Sequence, residues 1–441
     1  MVPVPRDQEI VLAAGLRTAW AKAGGEFEGE DAAHLGGRVA REVLARTGLD
    51  PSRIDEVVAG CVGPPHDQAN VGRVIALRAG VPQQVPARTV ARNCASGIEA
   101  VASAAQSVRA GDAEMVLTVG VEVMSAYPLI FGDAFRHLIG KLHRAKTLGQ
   151  RIRLLTKFRL GFLAPRIALM EGLTDPTCGL NMGQTAERIG REFGLSREAA
   201  DCYACESHRR AQVARDRGRF KREILPVLPL PGYGKKPARA SLGVDDSIRD
   251  GQTVEALSKL RPVFEKPDGR VTVGNACGIT DGACALIVTT RGRALAEGLS
   301  PLATLRSVRW AGCDPSRMGL GPVYATAKVL QATGLELEDL GAIELNEAFA
   351  SQVLAVGKAF ASRKFAQEHL GLDEALGELD PIRLNPNGGA IALGHPVGAT
   401  GSRLLLTAAH ELAEQDLEHS LVTLCIGGGQ GGAVLLERCD G

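Results

Sequence analysis

Twice in this chain a reactive residue stands in a turn of small residues, followed by a helix-patterned stretch and then an apolar run. In the first instance Arg92-Asn93-Cys94-Ala95-Ser96-Gly97 leads into apolar positions at helical spacing (Ile98, Val101, Ala102, Ala105 and Val108) and then the run 115–121. In the second, Gly394-His395-Pro396-Val397-Gly398 leads into a helical pattern over 401–412 and the run 421–425, followed by Ile426-Gly427. The spacings are similar, with 26 residues from Cys94 to Gly120 and 30 from His395 to Cys425. The economical explanation is a duplicated α/β domain with its chemistry at the junction of the two halves. A length of 441 residues, more than one hydrophobic core fills, agrees with that.

The surrounding pattern predicts strands at 10–14, 54–60, 87–91 and 115–121, helices at 31–47 and 70–79, and a polar loop ending in glycine at 17–25. Strands alternating with helices imply a largely parallel sheet covered on both faces. The alternation stops after Glu122, so 125–252 reads as an insertion. The two halves are then 1–124 with 253–291, and 292–441. A second series begins near Ala303, with a strand at 342–345 that runs into Asn346-Glu347-Ala348-Phe349. Inside the insertion, residues 136–170 hold nine Lys or Arg and no acidic residue, interleaved with Leu138, Ile139, Leu142, Ile152, Leu155, Phe158, Leu160 and Phe162. Such a basic amphipathic segment suits a membrane surface, a docking partner or a wall for a phosphorylated substrate; its plainer reading is a solvated helix face packed on the body.

Charge is nearly balanced, at 51 basic and 50 acidic residues, which argues against a global attraction to nucleic acid. Ten cysteines without regular spacing do not read as a disulfide framework or a zinc site, and reduced thiols in the cytoplasm fit better. The first residues carry no apolar core with a cleavage site, and no run of eighteen apolar residues occurs. A soluble cytoplasmic protein is the expectation.

Four turns then deliver two thiols, an imidazole and an amide. Cys94, at the start of a helix, is placed where free amides and the helix dipole favour a thiolate, and its small neighbours let a carbonyl approach. His395, on a rigid Gly-His-Pro turn, suits a base for it; Asn346 can fix a water or an oxyanion; Cys425, followed by glycines, has a range suited to moving a proton near neutrality. Taken singly, each has a duller explanation as a core, cap or structural residue. Jointly those explanations leave the common design of the four turns unexplained.

On Asn93-Cys94-Ala95-Ser96-Gly97, Asn346-Glu347-Ala348-Phe349, Gly394-His395-Pro396-Val397-Gly398-Ala399-Thr400-Gly401-Ser402-Arg403 and Cys425-Ile426-Gly427-Gly428-Gly429-Gln430-Gly431, the chain resembles a thiolase over essentially its whole length. Within that family it is similar to a 3-ketoacyl-CoA thiolase of fatty-acid β-oxidation. Lys146-Thr147-Leu148-Gly149-Gln150-Arg151 and the stretch from Lys157 to Pro165 further resemble the β subunit of the trifunctional β-oxidation complex, where this loop is associated with the complex and with membrane contact. The resemblance implies an α/β fold of two similar halves, mostly parallel, layered α/β/α/β/α, with an inserted loop domain. It implies thiolytic cleavage of 3-ketoacyl-CoA through an acyl-Cys94 intermediate, with His395 activating Cys94 and Cys425 handling the proton of the acetyl-CoA carbanion. It also implies one oxyanion hole from the amides of Cys94 and Gly427 and another from His395 with an Asn346-held water. Met182, Ala276, Cys277, Met318 and Phe349 would line the CoA and acyl channel. CoA enters as a substrate, and no metal or redox cofactor is implied. A homodimer or homotetramer, an associated hydratase/dehydrogenase α subunit and membrane contact through 136–170 are the implied partners.

Two positions depart from the pattern. Trifunctional β subunits typically carry His where Asn346 stands, and the CoA-binding loop usually has Ser where Cys277 stands, so CoA affinity is open to alteration there. The runner-up is a short-chain acetoacetyl-CoA thiolase running the condensation. Ketoacyl and hydroxymethylglutaryl-CoA synthases share the fold, but the Cys425 setting argues against both. An idle acyl-CoA-binding subunit is disfavoured by the intact Cys94, His395 and Cys425.

Overall fold

The duplication read from the two turns is realised as two sheets with the same strand order and a shared layer of helices between them. The computed structural model describes residues 5–439; residues 1–4, 440 and 441, which the domain bounds above include, lie outside the described part. The first half contains β1 (Ile10–Thr18), α1 (Ala32–Thr47), β2 (Glu56–Gly60), α2 (Val71–Arg78), β3 (Ala87–Val90), α3 (Ser96–Ala110) and β4 (Met115–Val123). An excursion follows that contains α4 (Asp133–Arg144), α5 (Leu148–Leu155), α6 (Met182–Glu192) and α7 (Arg197–Asp216), before β5 (Thr280–Thr290) returns to the first sheet. The second half contains β6 (Ala303–Gly312), α8 (Gly321–Thr333), β7 (Ala342–Leu345), α9 (Ala350–Phe360), α10 (Ala390–Leu393), α11 (Val397–Glu414), β8 (His419–Ile426) and β9 (Gln430–Glu437).

The first sheet runs β1-β5-β4-β2-β3 and the second β6-β9-β8-β7, with a single parallel bridge from Ile343 to Leu384 standing where β3 stands in the first. In each half one strand, β5 or β9, is antiparallel to both neighbours, and the others point the same way. The halves meet along β1 and β6 at only two residue pairs, Val11 with Thr304 and Leu12 with Ala303. What joins them is therefore the side-chain core between the sheets. Val11 and Ala13 of β1 face α1 and α2, whereas Ile10 and Leu12 face α3 and α11, the alternation expected of a strand buried on both sides. Leu404, Leu405 and Leu406 of α11 pack in that same middle core with Val422 and Leu424 of β8, while the outer face of the second sheet is covered by α8 and α9. The result is the layered α/β/α/β/α order.

Two glycines let the middle helices touch backbone to backbone. A Cβ on Gly97 would lie 2.5 Å from Ser402 N, and one on Gly401 would lie 2.6 Å from Ile98 N. That close crossing sets the Cys94 turn beside the His395 turn.

β1 runs past the strand expected at 10–14, because Arg17 is not in a polar loop. Its guanidinium is fully buried, with Nε on Glu223 at 2.9 Å and Nη1 on Asp245 at 2.7 Å, and it lies over Trp20 and Phe220. Strong partners from the excursion keep a charged residue inside the sheet. α1 begins as its sequence suggests, with Asp31 accepting from His34 N, and ends at Gly48 in the left-handed region.

The basic segment is not packed on the body. In α4 only Leu138 is buried, and in α5 nothing is. Phe131, Phe135, Phe158 and Phe162 pack in series, tilted and then edge to face, at centroid distances of 4.9, 6.4 and 6.1 Å, which ties this subregion together from within. Among the described residues, no helix is long and apolar enough to cross a membrane.

Candidate active site

Ser96 shapes the Cys94 turn: its Oγ accepts from Arg92 N at 2.9 Å and donates to Asn93 O at 2.8 Å, and Asn93 adopts φ 44°. Asn93 in turn donates from Nδ2 to Gly427 O at 2.8 Å, tying this turn to the glycines that follow β8. The amides of Gly427 and Cys94 itself point at the Cys94 sulfur. Burial nevertheless pushes the Cys94 thiol up, the two amides oppose it, and Glu122 adds to the rise. This corrects the expectation of a resting thiolate. α3 starts two residues beyond Cys94, and the loss of hydration outweighs the dipole. Cys94 rests as a thiol that needs a base, and it keeps an opening to solvent.

His395 is built to be that base. Its Nδ1 lies 2.6 Å from Thr400 Oγ1, and that hydroxyl donates to Pro396 O at 3.0 Å, so it accepts from Nδ1–H. The lone pair is thereby left on Nε2, which is buried and without a partner. Burial, reinforced by Arg403, lowers the imidazole to about 4, so it is neutral at pH 7. The turn is anchored by His395 N donating to Gly278 O at 3.3 Å. Gly394 takes φ 103°, and a Cβ there would stand 2.4 Å from Thr280 Cγ2.

Glu122 braces the same junction. Its buried carboxylate accepts from Val62 N and Gly63 N in the first half, from Tyr127 Oη at the start of the insertion and from Gly398 N, in the first turn of α11, at 2.9 Å. Asn346 is fully buried just beyond β7, and neither its Oδ1 nor its Nδ2 has a partner. A buried amide with both ends free is a place prepared for a water or a ligand. Cys425 closes the set at the end of β8. Burial pushes its thiol well above the ordinary range, with Cys94 and Cys277 adding to it, so the expectation of titration near neutrality gives way to a thiol that holds its proton. Such a group surrenders the proton only to a strong base such as a carbanion.

Met182, Ala276, Met318 and Phe349 share one apolar cluster with Cys425. Phe349 pairs with Ala276 across a bridge, Cys277 N donates to Ala348 O at 3.1 Å, and Met182 Sδ stands 3.4 Å from where a Gly427 Cβ would be. Burial, then Cys94, pushes the Cys277 thiol up to about 12. The turns named from sequence thus converge between the halves. Thr400, Glu122, Glu347 and Asn385 join the site without a chemical signature of their own in the sequence, although Thr400 and Glu347 lie inside the motifs that carry the resemblance. One Cys-x-x-Cys pair, Cys202 and Cys205, lies within α7. Among the described residues, no group of three or more His, Cys, Asp or Glu is placed to hold a metal ion.

The arrangement combines a nucleophile under two amides, a neutral base, an unpartnered amide and a buried proton donor, which is the equipment for forming and breaking carbon–carbon bonds next to a thioester. The comparisons agree. The thiolase N-terminal domain matches residues 10–292 and the thiolase C-terminal domain residues 299–438. An acetyl-CoA acetyltransferase of Pseudomonas aeruginosa is 41% identical over 98% of this chain and 100% of its own length. A 3-ketoacyl-CoA thiolase of Pseudoalteromonas translucida is 37% identical over 99% of this chain and 98% of its own. Human mitochondrial 3-ketoacyl-CoA thiolase superposes with a TM-score of 0.83 at 34% identity, over 99% of this chain and 100% of that one. With two family domains meeting where Cys94, His395 and Cys425 meet, this chain belongs to the thiolase family.

Proposed function

We propose that this chain cleaves 3-ketoacyl-CoA with CoA, giving acetyl-CoA and an acyl-CoA shortened by two carbons, in fatty-acid degradation. The observation that carries the reading is the facing of the Cys94 and Gly427 amides onto the Cys94 sulfur, beside a base with a free Nε2. His395 takes the Cys94 proton, and the sulfur attacks the 3-keto carbon, whose oxygen becomes an anion within reach of those two amides. As the bond between C2 and C3 breaks, its electron pair goes to C2 as the acetyl-CoA enolate, and Cys425 donates the proton that completes acetyl-CoA. The thiolate left on Cys425 takes the proton of incoming CoA; the CoA sulfur then attacks the acyl group, and Cys94 leaves and recovers its proton from His395. Since the amides serve the carbon bound to Cys94, the enolate oxygen falls to His395 Nε2 and a water on Asn346. The two thiols and the imidazole carry every proton in this scheme, and CoA is a substrate.

A short-chain reading is favoured by the acetyl-CoA acetyltransferase names of several relatives, the 41% identical one among them. CoA-dependent cleavage of acetoacetyl-CoA and of a long-chain 3-ketoacyl-CoA by the purified chain separates the two. Preference for the long substrate is the expected result; turnover of acetoacetyl-CoA alone would replace this reading with a short-chain, condensing one.

The partner assignments stand as proposals: a homodimer or homotetramer, a hydratase/dehydrogenase α subunit, and an anionic membrane surface met through 136–170. Supporting the last, eleven of the twenty-two large apolar residues exposed among the described residues fall between Leu129 and Met170, in the region that carries the nine basic residues, of which Arg136 and Arg166 pair with Asp133 and Glu171. Native mass and pelleting with vesicles of anionic against neutral lipid test these contacts; equal pelleting on both lipids would remove the membrane.

A further inference from the structure

Glu347 follows Asn346 directly and is buried, yet nothing in the scheme above uses it. Four donors converge on its carboxylate: Tyr203 Oη at 2.9 Å and Ser207 Oγ at 2.6 Å from α7, Asn385 Nδ2 at 2.9 Å, and Ile391 N at 3.2 Å from the first turn of α10. Asn385, held at φ 44°, also clips the backbone on the other side of Asn346, accepting from Leu345 N and donating to Leu345 O, both at 2.9 Å. The chain at Asn346 is therefore gripped on both flanks by a single connected set of side chains. The same carboxylate holds α10, and Gly394 N donates to Ala390 O at the end of that helix, immediately before His395. Asn346, whose amide has no partner, and His395, whose Nε2 has none, are thus the two ends of one rigid path that passes through Glu347.

We infer that Glu347 is a positioning residue that fixes Asn346 relative to His395, and so sets the geometry of the enolate-holding site while leaving the amide site over Cys94 untouched. The inference rests on the thiolase chemistry proposed above. A carboxylate suits the task because it accepts at every contact. A Gln at 347 would turn an NH2 group against at least one of the four donors, loosening the path without emptying the site. Gly389 supplies an independent disturbance, since a Cβ there would stand 2.3 Å from the Glu347 carboxyl carbon.

The test separates the two anion sites within one protein. Exchange of labelled CoA into acetyl-CoA needs only acyl transfer to Cys94 and back. Exchange of the acetyl-CoA methyl hydrogens with deuterated water, and thiolysis of acetoacetyl-CoA, need the enolate. In Glu347→Gln, methyl exchange and thiolysis kcat should fall about tenfold or more, with label exchange and the KM for CoA within about threefold of wild type. Gly389→Ala should give the same split. An equal loss in all three reactions, or no loss in any, for whichever variant folds would overturn the positioning role. Absence of both exchanges in the wild-type protein would instead overturn the thiolase reading beneath it.

Discussion

Replacing Cys94 by alanine is expected to lower thiolysis by at least about ten-thousandfold, because no other group is placed to carry the acyl chain. The fold should survive: the side chain removed is small, and the turn is held by Ser96, Arg92 and Asn93 rather than by the sulfur. Intact-mass measurement after incubation with an acyl-CoA gives a second readout, an acyl adduct on the wild-type chain and none on Cys94→Ala. An adduct that persists on the variant would transfer the nucleophile's role to Cys425 or Cys277, both close enough to be pushed up electrostatically by Cys94. The pH dependence of labelling carries the sign of the Cys94 shift. With the thiol raised by burial, alkylation by iodoacetamide should keep climbing through the alkaline range; a plateau below neutrality would mean a resting thiolate.

The largest expected loss of stability comes from Arg17→Met. The substitution keeps most of the volume between Trp20 and Phe220, but leaves Asp245 in the core without its guanidinium partner and Glu223 with only the more distant Arg219, at 3.8 Å. Burial alone would push the Glu223 carboxyl up; Arg17 and then Arg219 overcome that and hold it below the ordinary range. Removing Arg17 reverses the balance at a cost of about 3–5 kcal/mol, read as a clear fall in the denaturation midpoint. Adding Glu223→Gln and Asp245→Asn to the same chain should recover part of the loss, since neutral amides carry no ionic desolvation penalty. No recovery would show that lost packing, rather than stranded charge, set the cost.

These two sites mark what can and cannot be read from a sequence of this kind. Cys94, Asn346, His395 and Cys425 announce themselves because each sits in a local pattern of small residues ahead of a helix or at the end of a strand. The repeated spacing revealed the duplication, and the structure keeps it down to the strand order. Arg17 looked like a loop residue because its partners lie 206 and 228 positions away, and nothing near it in the chain foretells them. The protonation state of the thiols failed for a related reason. A helix terminus is a local feature, whereas the burial that overrides it belongs to the assembled layers. Glu347 was in plain view within a quoted motif, but its four donors come from three separate stretches, so its role needed the fold.

The middle layer also governs the order in which the protein becomes safe from aggregation. Leu12, Val58, Val116 and Leu286 of the first sheet are covered on that face partly by Leu404–Leu406 of α11, which leave the ribosome more than a hundred residues after β5. Through that interval the nascent first half can complete its strand order but must carry an open apolar face, with α3 alone lying on it. Chaperone attendance during synthesis, and insolubility of any product halted before residue 397, follow from the same packing that brings Cys94 and His395 together.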